Sequence, residues 1–394
     1  MELFSGNAEI DRLAGEVARG SRIVSLEGIA STSAKAFVFN RLQQKTGRDF
    51  VILTATNTES DAIIDDIKFW RSADAAEPRG PSANRPGSKE NYDIYAFPSF
   101  ETDPYSGISP HAVTLERRAL ALWRLLQQKP SFLAVSAGSL IYRIPPPNEV
   151  AKIGSILRCG IDSSPTEFVE LLMTSGYVRQ DPVVGVGQFS LRGGIVDVWP
   201  PDSDLPARIE FFGDTVESIR RFDPETQLSV ERPNEITAAP MREYSASPKD
   251  FKDWAFFAAE RFRDPQYARN LADRVIFAEE GESFPGWEFL IPLVKPLTAS
   301  VFDYLGGCVF VIDEPASIEN ELKNHYSSIE RQYAQLADLG EIGLRPDELL
   351  LPIEELRNKI DSYPRIESRA LGNTAAVIDE RFLFDSSDAA DNFE

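Results

Sequence analysis

The first seventy residues alternate between two hydrophobic patterns. RIVSL (22–26) and FVILTAT (50–56) are apolar runs short enough to be buried strands. Each is followed by a stretch with helical spacing: KAFVFNRLQ (35–43), then SDAIIDDIKFW (60–70), which gathers Ile63, Ile64 and Ile67 on one side. Strand and helix in alternation imply a parallel sheet with helices packed on its faces. Residues 71–91 break the pattern. They are rich in Pro, Ala, Ser and Gly, have no period, and predict a flexible surface insertion. YDIYAF (92–97) resumes the sheet. A helix is expected from about Val113 to Gln127, with Leu115, Ala119, Leu122 and Leu126 as its apolar stripe. SFLAVSA (131–137) reads as another buried strand, and IPPP closes a first segment of about 1–150.

A second domain is expected over 151–240. It opens with a helix start at Ser164-Pro165-Thr166-Glu167, with an N-cap Ser, Pro at the first helical position and Glu at the third. Phe168, Leu171 and Leu172 form its buried stripe, and Gly176 is placed to end it. From Gly187 the period changes to two. Two strand-like runs flank a Pro-rich turn, and alternation sorts their residues onto two faces. Phe189 and Leu191 point one way; Gln188, Ser190 and Arg192 point the other. Ala207, Ile209 and Phe211 point inward, while Arg208, Glu210 and Phe212 share the outer face. Gly193-Gly194 suggests a bulge, Gly213-Asp214 a tight hairpin turn, and Asp223-Pro224-Glu225-Thr226 a type I turn. A large aromatic beside arginines on a polar face is the composition of an interface hot spot. The alternative is that Phe212 tucks under a neighbouring loop and the arginines are plain surface.

From about Met241 the chain turns helical again and returns to the first domain over 241–365. Trp254, Phe256 and Phe257 fall at helical spacing and read as core. CVFVIDEP supplies a strand, PIEELRNKIDS a last helix, and 366–394 is expected to be an acidic, disordered tail. The expected fold is thus α/β: a P-loop-like parallel sheet domain, a small inserted α+β domain, and a helical return segment completing the first domain.

Composition narrows the function. The net charge of −21 argues against a sequence-independent DNA binder, whose footprint is a basic patch or stripe. Cys159 and Cys308 are too few for a disulfide framework. His111 and His325 cannot make a His-rich metal site, and no metal or catalytic residue is expected. The amino terminus lacks the apolar core of a signal peptide and no run approaches a membrane span, so a cytoplasmic protein is expected.

Residues 22–42 have the outline of a nucleotide-binding loop. That chemistry requires Gly immediately before the Lys, to let backbone wrap phosphates, and Ser or Thr after it for magnesium. In GIASTSAKA, Lys35 stands between Ala34 and Ala36, and Gly28 lies one residue too far upstream. Asp313 and Glu314 at the end of VFVIDEP look like a Walker B pair, although acidic residues at strand ends are common. The broken lysine loop decides: the site is read as degenerate, with ATP and magnesium as cofactors only if that reading fails.

GQFSLRGGIVDVWPP, RIEFFGDTVESIRRFDPETQ, FPSFETDPYSGISPH and TLERRALALWRLL resemble the amino-terminal module of the bacterial transcription-repair coupling factor family (Mfd), itself similar to the front part of UvrB. The likeness runs from about Ile23 to about Pro364. It implies a docking module for the excision-repair protein UvrA, in a family whose UvrB-like module has lost its ATPase. The family's UvrA-contacting positions fall on Arg192, Arg208 and Phe212, with Glu210 a weaker candidate between them. RNA polymerase and DNA would be partners only through the polymerase-binding and translocase parts, which nothing after Pro364 resembles. The expectation is a non-catalytic adaptor, whether fragment, split gene product or stand-alone relative. The alternative is an active UvrB-like ATPase or helicase.

Overall fold

FVILTAT and SFLAVSA become interior strands of a parallel sheet because they are long enough to bury both faces and carry no charge to prevent it. The computed structural model describes residues 7–76, 93–127, 130–370 and 380–383. Strands β1 (Ile23–Glu27), β2 (Phe50–Thr54), β3 (Ile94–Phe97) and β4 (Phe132–Ser136) come from before the insertion. The inserted domain supplies β5 (Ser155–Arg158), β6 (Val178–Arg179), β7 (Gln188–Arg192), β8 (Ile195–Val198), β9 (Ala207–Phe212), β10 (Thr215–Phe222), β11 (Ser229–Glu231) and β12 (Glu235–Ala238). The return segment adds β13 (Val309–Asp313), β14 (Arg365–Arg369) and β15 (Glu380–Leu383). Among the described residues the large sheet has the order β15-β1-β14-β13-β2-β4-β3, with every neighbouring pair parallel.

Each strand shares its side chains between two cores. Phe50 and Ile52 pack with Ile10, Leu13, Phe39, Leu42 and Ile63, under helices 7–19, 32–46 and 57–76. Val51 and Leu53 pack with Leu122, Trp254, Ile318 and Leu356, under helices 112–126, 248–261, 315–339 and 353–361. Helices from before and after the insertion therefore cover the second face together.

The inserted domain has its own core, in which Phe168 and Leu172 of helix 165–174 pack on Phe189, Val196, Ile209 and Ile219. Its main sheet runs β11-β10-β9-β8-β7-β6, and β5 pairs antiparallel with β12 where the chain enters and leaves. Buried contacts tie the domain to the large sheet. Arg124 pairs with Asp202, and Arg118 pairs with Glu243 at the exit while lying 4.0 Å from the rings of both Phe97 and Phe100.

Several expectations need correcting. The tail does not begin at 366: β14 lies between β1 and β13, and β15 adds to the sheet edge. The charges of RIESR conceal that strand, because Arg365 and Arg369 both pair with the buried Glu367, at 3.0 and 2.6 Å, and neutralise it. Residues 371–379 and 384–394 lie outside the described residues. Helix 57–76 takes in the first positions of the expected 71–91 insertion, and the remainder also lies outside them. Gly193-Gly194 is a hairpin turn rather than a bulge, since Arg192 pairs directly with Ile195. Phe256 and Phe257 are exposed, not core; Trp254 alone of the three is fully buried. His111 caps helix 112–126, accepting from the Val113 amide, and Asp103 accepts from the Tyr105 amide within its turn.

Candidate docking face and the lysine loop

Strands β7 to β10 form an antiparallel meander, with Gly193-Gly194 and Gly213-Asp214 as its two-residue turns. Gly193 (φ 61°) and Gly213 (φ 62°) both take the left-handed conformation that such turns require. The register lays two rows of side chains across the outer face. One row runs Ser190, Asp197, Arg208, Arg220; the next runs Arg192, Ile195, Glu210, Ser218. Phe212 follows at the hairpin tip.

The inward residues behave as alternation requires: Phe189, Val196, Ala207 and Ile209 are inaccessible to solvent. On the outer face Phe212 is 80% exposed, and no loop among the described residues covers it. The arginines of the same face are neither free nor plain surface. Asp197 sits mid-sheet at 1% exposure and receives both. Arg208 donates from Nε to Oδ1 and from Nη2 to Oδ2, each at 2.8 Å, and Arg192 Nη2 donates to the same Oδ2 at 2.8 Å. Hydrogen bonding to Asp197 holds the Arg208 pKa above its ordinary value. Arg208 also lies 4.6 Å from the ring of Phe222 and donates to Gln227, whose turn closes that side of the face. Glu210 is engaged within the sheet, accepting from the Ser218 hydroxyl at 2.6 Å and pairing with Arg220. The structure thus brings Arg192, Arg208, Glu210 and Phe212 onto one face. Asp197 and Arg220 were missed, although IVDV contains half of the signal, one acid at an outward position of an apolar strand.

Gly28, Lys35, Asp313 and Glu314 all lie at the carboxyl end of the large sheet, where Lys35 meets the two acids. Gly28 (φ 88°) ends β1 and donates to the Arg369 carbonyl. Helix 32–46 has already begun by Lys35, whose amide is spent on the Ser31 carbonyl. Lys35 Nζ lies 2.6 Å from Asp313 and 3.1 Å from Glu314. Burial opposes its charge, but the two carboxylates outweigh burial and raise its pKa. Glu314, at φ 56°, also accepts from the Ala370 amide at 2.8 Å, fastening β13 to the end of β14.

Residues 156–244 match the family model for the UvrB interaction domain. Among curated proteins the chain is 29% identical to a transcription-repair-coupling factor of Haemophilus influenzae, over 71% of this chain and 24% of that protein. It is 30% identical to that of Rickettsia bellii, over 70% of this chain and 23% of the relative. With the Myxococcus xanthus protein the identity is 26%, over 93% of this chain and 30% of the relative. The chain thus spans about a quarter of the length of the first of these relatives.

Proposed function

We propose that this chain, which carries a UvrB interaction domain and is similar along most of its length to the amino-terminal, UvrB-like module of transcription-repair-coupling factors, docks UvrA in transcription-coupled repair. The observation that carries this reading is Phe212, 80% exposed on the face that also bears Arg192 and Arg208, inside the matched 156–244 region. An exposed aromatic and two guanidiniums on one face offer a partner an apolar anchor and charge-assisted hydrogen bonds to its carboxylates. The module recruits UvrA and leaves the chemistry of excision to downstream proteins.

The adaptor reading includes the absence of ATP turnover. Three features support it: Lys35 lies inside a helix with its amide spent, its ammonium is held by two carboxylates, and Ala36 offers magnesium no hydroxyl. Contacts with RNA polymerase and DNA would belong to polypeptide outside this module. Calorimetric titration with UvrA tests the docking. Phe212→Ala should weaken binding by about 2 kcal/mol or more without changing the melting temperature. Wild-type affinity in that variant removes Phe212 from the interface.

A further inference from the structure

We propose that Asp197 is the positioning residue of the docking face: it gathers the Arg192 and Arg208 guanidiniums onto one carboxylate so that together they receive a single acidic group of UvrA. The inference rests on the docking reading above.

Asp197 cannot meet a partner itself, because it lies at 1% exposure beneath the two arginines. Its Oδ2 is shared by Nη2 of Arg192 and Nη2 of Arg208, both at 2.8 Å, so two side chains from β7 and β9 converge on one atom of the strand between them. The two guanidiniums share one buried carboxylate, Asp181 approaches Arg192 Nη1 only at 3.8 Å from the exposed rim, and the N–H groups left over suit one carboxylate of the partner. Their orientations are fixed before a partner arrives. A long side chain that is already ordered loses less rotamer freedom on binding, so the ordering cost falls on folding rather than on association. Arg192 is half-exposed and Arg208 about one-fifth exposed, so both remain reachable. Phe212 is the other part of the face and does not touch Asp197. The two parts should therefore contribute independently.

The experiment is a set of double-mutant cycles, titrating UvrA into the full chain. Asp197→Asn keeps the shape but weakens the hold on both arginines, and should lower affinity by about tenfold. In a Phe212→Ala background the same tenfold loss should recur. In an Arg192→Ala background it should shrink to about threefold, because one of the two guanidiniums being positioned is gone. A purely structural Asp197 would give the same loss in every background, and that result overturns the proposal. So does wild-type affinity in Asp197→Asn when Phe212→Ala is weakened. If Asp197→Asn fails to fold, Asp197→Glu keeps the charge, displaces it by one methylene and serves in the same cycles. A wild-type chain that does not bind UvrA defeats the docking reading itself, and this inference with it.

Discussion

Removing the Arg208 side chain does two things at once. It deletes a cation from the outer face, and it strips two of the three close hydrogen bonds from a carboxylate at 1% exposure. A buried acceptor left short of partners costs about 1–3 kcal/mol, so Arg208→Ala should destabilise the inserted domain by about 2 kcal/mol. Chemical denaturation followed by near-ultraviolet circular dichroism measures this directly. Unchanged stability would mean that Arg192 alone suffices for Asp197. Any loss of UvrA binding in Arg208→Ala must therefore be corrected for folding, whereas Phe212→Ala requires no such correction. Alternation alone places Phe212 outward, and among the described residues no large hydrophobic side chain is more exposed. The carboxylate beneath the arginines is harder to read, because a sequence gives the facing of a residue but not its cross-strand partner.

At the scale of elements, legibility followed charge. β2 and β4 are apolar up to a closing Thr54 or Ser136, carry no charge and are fully buried, so nothing obscured them. β14 is charged at three of its five positions and is only intelligible as a strand once the Arg365–Glu367–Arg369 network is seen. The helix over 248–261 shows the converse, a local signal with a local cause. Ser247 and Asp250 cap it reciprocally, and Lys295 reaches the same carboxylate at 3.0 Å. Burial opposes ionisation of Asp250, but the Ser247 amide and hydroxyl and the Lys295 ammonium prevail and hold its pKa below the ordinary 3.8. A depressed folded value contributes stability above pH 3.8 and loses it as pH falls through that folded value. Asp250→Ala should thus cost about 1 kcal/mol at neutral pH, and the gap to wild type should narrow in acid below 3.8. Thermal melts of both proteins across pH test this; a gap constant down to pH 2 refutes it.

For the whole molecule, the Lys35 site joins parts of the chain that are distant in sequence. Lys35→Ala would leave Asp313 and Glu314 facing each other without their cation, and should destabilise the large domain by about 3 kcal/mol. Millimolar ATP with magnesium should leave the wild-type melting temperature unchanged, since a ligand that binds only the folded state must raise it. An ATP-dependent rise that disappears in Lys35→Ala would restore the ATPase reading. The sheet order shows why such a site resists interpretation from sequence. Asp313 is separated from Lys35 by the whole inserted domain, and only strand order brings them together at the carboxyl end of the sheet.

The pairing of β5 with β12 has a further consequence. Ser155 lies opposite Ala238, so the chain enters and leaves the inserted domain through adjacent positions. A unit whose ends meet, and which has a core of its own, can be cut out without leaving either end stranded. Residues 155–238, with Asp202 replaced because it would lose its buried partner Arg124, are expected to carry the Phe212 face to a new host when spliced by short linkers into an unrelated scaffold loop.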